Sequence, residues 1–249
     1  MAHQGRTPHV GCALSLIEIC AALFGGMMQY DPLNPQAPDR DLLVLSKGHG
    51  VMALYACCQA LGWLSAQELG AYMANGSRLR GVCEVGIPGC EVTSGSLGHG
   101  LPVATGMALG LQRLASPRRV WCIVGDGEMN EGSIWEALLL AAHQNLGRLT
   151  LIVDANGHQA LGRTEEVLRL EPLAARLTAF GWEALECDGH DLAALRQALA
   201  PSRGLGGPPR AVVARTIKGC GISFLADDNQ SHYARFDQES LAVALRELG

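Results

Sequence analysis

Two textures of apolar residues alternate along the chain. Short unbroken runs predict strands at Leu42–Leu45, Arg119–Val124, Leu149–Val153, Trp182–Glu186 and Ala211–Thr216, the second and third buried on both faces. Between them, helical spacing predicts helices over Ala13–Leu23, Val51–Leu61, Leu101–Leu114, Ser133–Gln144, Leu173–Phe180 and Leu192–Leu199, with an amphipathic helix over Glu239–Leu248 at the end. Ser65-Ala66-Gln67-Glu68 has the form of a capping box and opens another short helix. Asp31-Pro32-Leu33-Asn34-Pro35 punctuates a loop, and the glycines and prolines of 201–209 read as a surface connector. The glycine-rich stretch from Asn75 to Gly100 is too long for a passive link, and loops of that length usually carry function.

Strands alternating with helices predict an α/β fold, a mostly parallel sheet flanked by helices on both faces, as one domain over 1–249. Ligands of such sheets bind outside the carboxyl ends of the strands, which directs attention to Gly125 and Asp154.

Composition narrows the function classes. Of the 249 residues 48% are hydrophobic and 17% charged, enough to bury a sizeable core. A net charge of −5 with scattered Lys and Arg leaves no footprint for nucleic acid. The apolar stretch from Ala13 to Met28 carries Glu18 and two glycines, so it does not read as a membrane span, and the start does not read as a signal peptide. The expected location is the cytoplasm. The 9 cysteines are odd in number and lack a Cys-x-x-Cys pair, and several sit in apolar runs, so they read as reduced structural thiols.

The chemistry concentrates in Gly125-Asp126-Gly127-Glu128-Met129-Asn130-Glu131-Gly132, which joins a strand to a helix. Asn130 stands where a dinucleotide fingerprint needs glycine, so that reading fails. An aspartate between glycines suits a hard cation bridging to phosphate oxygens, although alone it is more often a turn. Asp154-Ala155-Asn156 ends the next strand, one strand–helix–strand unit later, so Asp126 and Asn156 can emerge at one sheet edge and share a Mg²⁺.

This pair is the signature of thiamine diphosphate enzymes. The ordered set Pro8-His9-Val10-Gly11, Leu45 to Gly50, Ser94 to Gly100, Gly125 to Glu136, Asp154 to Gly157, Asp188 to Asp191 and Thr216 to Gly219 resembles the N-terminal, diphosphate-binding half of transketolase, as found in enzymes split into two subunits. The resemblance covers nearly the whole chain. It implies Mg²⁺ on Asp126, Asn156 and the main-chain oxygen of His158, and thiamine diphosphate near His49, Gly95, Leu97, Gly127, Glu128 and His232. It implies catalytic roles for His9, His49, His232, Glu131 and Glu136, the two glutamates lying between paired active sites. Each has a plainer alternative: His49 as a turn-stabilising hydrogen bonder, Glu131 and Glu136 as acids complementing a helix dipole. Lys218 can face a phosphate or solvent, and His190 reads as a loop brace.

The cofactor would carry the difficult step, adding to a ketose carbonyl and holding a two-carbon fragment, while the protein moves protons on sugar hydroxyls. In the family a glutamate from a second, pyrimidine-binding domain activates the cofactor. That domain implies a C-terminal transketolase-like partner subunit, an α2β2 hetero-oligomer and a sugar-phosphate donor. Three departures stand out: the helix usually preceding His9 is nearly absent, Val82 replaces a substrate-contacting histidine, and Ser231-His232-Tyr233 replaces Trp-His-Gly. Loss of that histidine makes a specialised acceptor, such as an acyl carrier, credible. Rival readings are the α subunit of a 2-oxoacid dehydrogenase and a non-catalytic regulatory subunit.

Overall fold

The computed structural model describes residues 1–200 and 206–249, so part of the expected 201–209 connector lies outside the described residues. Five strands, β1 (Leu42–Leu45), β2 (Val120–Gly125), β3 (Leu149–Ala155), β4 (Glu183–Asp188) and β5 (Arg210–Arg215), form one sheet in the order β1-β2-β3-β5-β4. Every pairing is parallel. All the predicted strands exist, with ends shifted by a residue or two. Trp182 closes the preceding helix through its N–H on Leu177 O instead of starting β4.

The helices are α1 (Ala2–Gly5), α2 (Val10–Leu14), α3 (Ile17–Ala22), α4 (Val51–Ala60), α5 (Ala66–Gly70), α6 (Gly100–Arg113), α7 (Gly132–His143), α8 (Thr164–Val167), α9 (Leu173–Ala179), α10 (Leu192–Leu199) and α11 (Gln238–Leu248). The capping box before α5 is formed, with Ser65 and Glu68 each satisfying the other's backbone N–H.

Side-chain alternation on the strands builds two cores. Trp121 and Ile123 of β2 face one layer with helices α3, α4 and α10, while Val120, Cys122 and Val124 face the other with α6, α7 and α9. Burial on both faces explains why the central strands are unbroken apolar runs. The nine cysteines are free thiols, most of them buried in these layers.

The single helix expected over Ala13–Leu23 is instead broken into pieces. Ser15 Oγ turns to the Asp154 carboxylate (2.6 Å), and Leu16 N–H tightens onto Ala13 O (3.0 Å) instead of continuing the ladder to Cys12 O. Residues 10–27 are apolar and long enough to cross a membrane, yet Leu16, Ile19 and Leu23 are fully buried within the core.

Candidate active site

Strand register sets the site. Gly125 lies opposite Asp154, and Asp154 opposite Ala214, so Asp126, Asn156 and Thr216 all leave the sheet at its carboxyl edge. Above that edge is a cavity of about 450 Å³. Its walls bring together His9, His49, Gly95, Leu97, Asp126, Gly127, Glu128, Glu131, Asn156, His158 and His232 from segments far apart in sequence. Glu136 is the exception among the expected site residues: it is exposed on α7, one helical turn beyond the cavity wall.

Asp126 is 6% exposed and its carboxylate is anchored by Gly127 N–H (2.8 Å), Gly157 N–H (2.7 Å) and Thr164 Oγ (3.1 Å). Burial, and then the charge of Asp154, push it up to about 6. A carboxylate raised in this way gains from a cation, and the Asn156 amide oxygen, which accepts His158 N–H at 3.1 Å, is a second hard donor beside it. The His158 ring is otherwise engaged: its Nε2 lies 2.8 Å from Asp227 Oδ1. The Asp126 carboxylate and the Asn156 amide oxygen are therefore donors that fit a hard cation such as Mg²⁺.

A polar ligand also fits. Among the described residues, His9 Nδ1, Asn130 Oδ1, His158 Nδ1 and Gln159 Nε2 are buried without a hydrogen-bond partner, and all four belong to residues lining this cavity. They are four of the twelve such atoms among the described residues, and a polar ligand in this cavity could complete them. His9 is also held at φ 75, a sparsely populated conformation for a side chain of its size.

Three imidazoles cluster on one wall, with ring centroids 5.3 Å apart for His9 and His49, 4.8 Å for His9 and His232, and 6.0 Å for His49 and His232. Burial, then nearby lysine charge, lowers all three, His232 to about 4. At neutral pH they are uncharged and able to exchange hydrogen bonds with hydroxyls or phosphate.

Glu128, expected to meet the cofactor, has its side chain committed to the framework. It is 1% exposed, accepts Gly98 N–H (2.9 Å) and Gly125 N–H (3.2 Å), and takes the Ser46 hydroxyl. It thus joins the glycine-rich loop to the end of β2 and to the turn after β1. The approach is close: a Cβ on Gly98, at φ +84, would lie 2.6 Å from Glu131 Cβ. Glu131 is exposed, precedes α7 without capping it through its side chain, and reaches the cavity mouth.

Sequence reasoning named Asp154 and Lys218 but not the partners they take beneath the floor. Asp154 is fully buried and accepts Ser15 Oγ (2.6 Å), Thr216 Oγ, Asn156 Nδ2 (3.4 Å) and the ammonium of Lys47. A carboxylate ending an apolar strand was the available signal, because it requires a partner. Lys218 does not face solvent: it is fully buried, with Nζ 3.1 Å from His232 Nδ1. His190 braces its loop as expected, accepting Ile217 N–H at 2.8 Å.

Comparison with known proteins identifies the family. The family described as transketolase, thiamine diphosphate binding domain, matches residues 2–249. A 6-deoxy-6-sulfo-D-fructose transketolase subunit from Clostridium sp. (strain MSTE9) is 39% identical over 96% of this chain and 88% of its own length. An apulose-4-phosphate transketolase subunit from Actinobacillus succinogenes is 37% identical over 96% of this chain and 87% of its own. The structure of transketolase from Leishmania mexicana superposes with a TM-score of 0.92 at 30% identity, covering 99% of this chain, which spans 38% of that longer protein. The family model spans nearly the whole chain and relatives named as transketolase subunits match it along most of their own length, so the chain belongs to the transketolase family through its thiamine diphosphate binding domain.

Proposed function

We propose that the chain, acting as one domain over 1–249, is the N-terminal subunit of a split, thiamine-diphosphate-dependent ketol transferase of the cytoplasm. The observation that carries this reading is the cavity at the carboxyl edge of β2 and β3, whose walls bring a cation-seeking carboxylate together with Asn156 and three imidazoles. Asp126, Asn156 and the His158 main chain would hold Mg²⁺, and Gly95, Leu97 and Gly127 would bring backbone close to the cofactor. When bound, thiamine diphosphate supplies the nucleophilic carbon that accepts a two-carbon unit from a ketose and passes it on.

The chain's own work is to bind, orient and move protons. The uncharged imidazoles of His9, His49 and His232 suit proton movement on sugar hydroxyls near pH 7. Glu131, exposed at the cavity mouth, would meet a neighbouring subunit. Two relatives are named as transketolase subunits, one for a sulfo sugar and one for a sugar phosphate, which supports an anionic sugar substrate and a partner subunit; that partner would be the C-terminal one, in an α2β2 assembly. The partner would bring the pyrimidine-binding domain and its activating glutamate. Exposed Glu136 on α7 would belong to that assembly and not to the sugar's first contacts.

The test is a native mass spectrum of the protein from its own host with Mg²⁺ and thiamine diphosphate, followed by assay of the complex. A second polypeptide with cofactor mass, and turnover of a ketose phosphate, is the expected result. Turnover of a 2-oxoacid instead would make it part of a dehydrogenase. An assembly of this chain alone, free of cofactor, would refute the split-site reading and favour a regulatory role.

A further inference from the structure

Beneath the histidine wall lie two buried lysines with different partners. Lys47 has Asp154 as its counter-ion. Lys218 has no ion-pair partner within 4.0 Å among the described residues, and its ammonium points at Nδ1 of His232, 3.1 Å away. An ammonium has only donors, so the ring nitrogen it meets must supply a lone pair. The other imidazole nitrogen, Nε2, then carries the proton, and no residue among those described bonds to it.

We infer that Lys218 is a positioning residue: it fixes His232 as the Nε2–H tautomer, so that His232 meets the ligand in the cavity as a neutral hydrogen-bond donor to a carbonyl, hydroxyl or phosphate oxygen. The inference rests on the cavity being the ligand site but not on the identity of the sugar. The tautomer of a catalytic histidine is set by what its far nitrogen bonds, usually a carboxylate or carbonyl that leaves the near nitrogen as base. A lysine in that place reverses the polarity. His232 enters as a donor and stays uncharged well below neutral pH.

The surroundings agree. Lys47, Lys218, His9, His49, Cys12 and Tyr233 are the titratable groups facing His232, and none is a carboxylate that would draw a second proton onto the ring. His9, Cys12 and His232 offer ligand atoms within 4.8 Å of one another, the spread of a metal cage. The ammonium against His232 Nδ1 opposes a second cation there, so hydrogen bonding and not metal ligation is the reading the geometry supports.

The experiment is long-range ¹H–¹⁵N correlation on the full chain labelled at histidine, titrated through the acid range, for the wild type, Lys218→Met and Lys218→Arg, with His232→Gln to assign the signal. In the wild type His232 should show an unprotonated Nδ1 and a protonated Nε2, with a midpoint near 4. Lys218→Met should raise that midpoint by at least about one unit, a tenfold gain in protonated fraction at a given pH. Lys218→Arg, which keeps a cationic donor, should restore the low midpoint. His190 Nε2 accepts the N–H of Ile217, the neighbour of Lys218, so its unprotonated signal reports that the local fold survives. A wild-type His232 protonated on Nδ1 would overturn the inference outright. So would an unchanged midpoint in Lys218→Met with the His190 signal intact. Neither outcome depends on turnover, so failure of the transferase reading would leave this result standing.

Discussion

Replacing Lys47 by methionine tests the buried pair under the cavity floor. Lys47 and Asp154 have side-chain exposures of 1% and 0%, and Asp154's other partners, the Ser15 and Thr216 hydroxyls and the Asn156 amide, are neutral. Methionine keeps nearly the same volume and leaves little cavity, so the effect isolates an uncompensated buried charge. Removing one member of such a pair costs about 3–5 kcal/mol. At roughly 2–4 °C per kcal/mol for a chain of this size, the melting temperature should fall by roughly 6–20 °C. Asp154→Asn in the Lys47→Met background removes the stranded charge and should recover most of the loss, since the pair as a whole contributes little net stability. Urea unfolding followed by tryptophan fluorescence reads both, with Trp121 (1% exposed) as a core reporter and an unchanged m-value as the check on two-state behaviour. A Lys47→Met variant within about 1 kcal/mol of wild type, or a double variant less stable than the single one, would refute the argument. Asn156 follows Asp154 by two residues, so cofactor affinity should fall together with stability in the single variant.

Three further outcomes follow from the site. Asp126, raised to about 6 by burial and Asp154, must lose its proton to bind a cation. Affinity for thiamine diphosphate with Mg²⁺ should therefore fall about tenfold per unit below pH 6, read by calorimetry, and a flat affinity would remove Asp126 from the metal site. His232 has a folded value near 4 against 6.5 when unfolded, so it adds stability above pH 6.5 that disappears as pH falls through about 4. Wild type should lose about 1–2 kcal/mol relative to His232→Gln between those limits, the half-buried ring being partly screened by water, and parallel pH–stability curves would contradict this. Gly98→Ala forces a side chain into φ +84 and to within 2.6 Å of Glu131 Cβ, and should cost roughly 2 kcal/mol or more while weakening cofactor binding. An unperturbed melt would show that the loop gives way at no cost.

Which parts of this molecule the sequence made legible follows from the range of the interactions involved. The strands could be read because burial on both faces leaves a local mark, an unbroken apolar run. Asp126 and Asn156 could be read because each directly follows such a run, and parallel register carries both to one edge. The break between α2 and α3 could not, because Ser15 turns to Asp154, a residue 139 positions away. The same distance concealed the role of Lys47, whose partner is 107 positions on. Glu128 is the instructive case. Its motif nominates it as a ligand, and its residue type permits that role. Its carboxylate oxygens, however, are already taken by Ser46, Gly98 and Gly125, donors from three separate segments. Lys218 shows the converse: a surface residue by type, it lies fully buried with its ammonium against His232 Nδ1. At this site, residue type nominates the candidates, and the donors and acceptors that the fold has left free decide which of them meet a ligand.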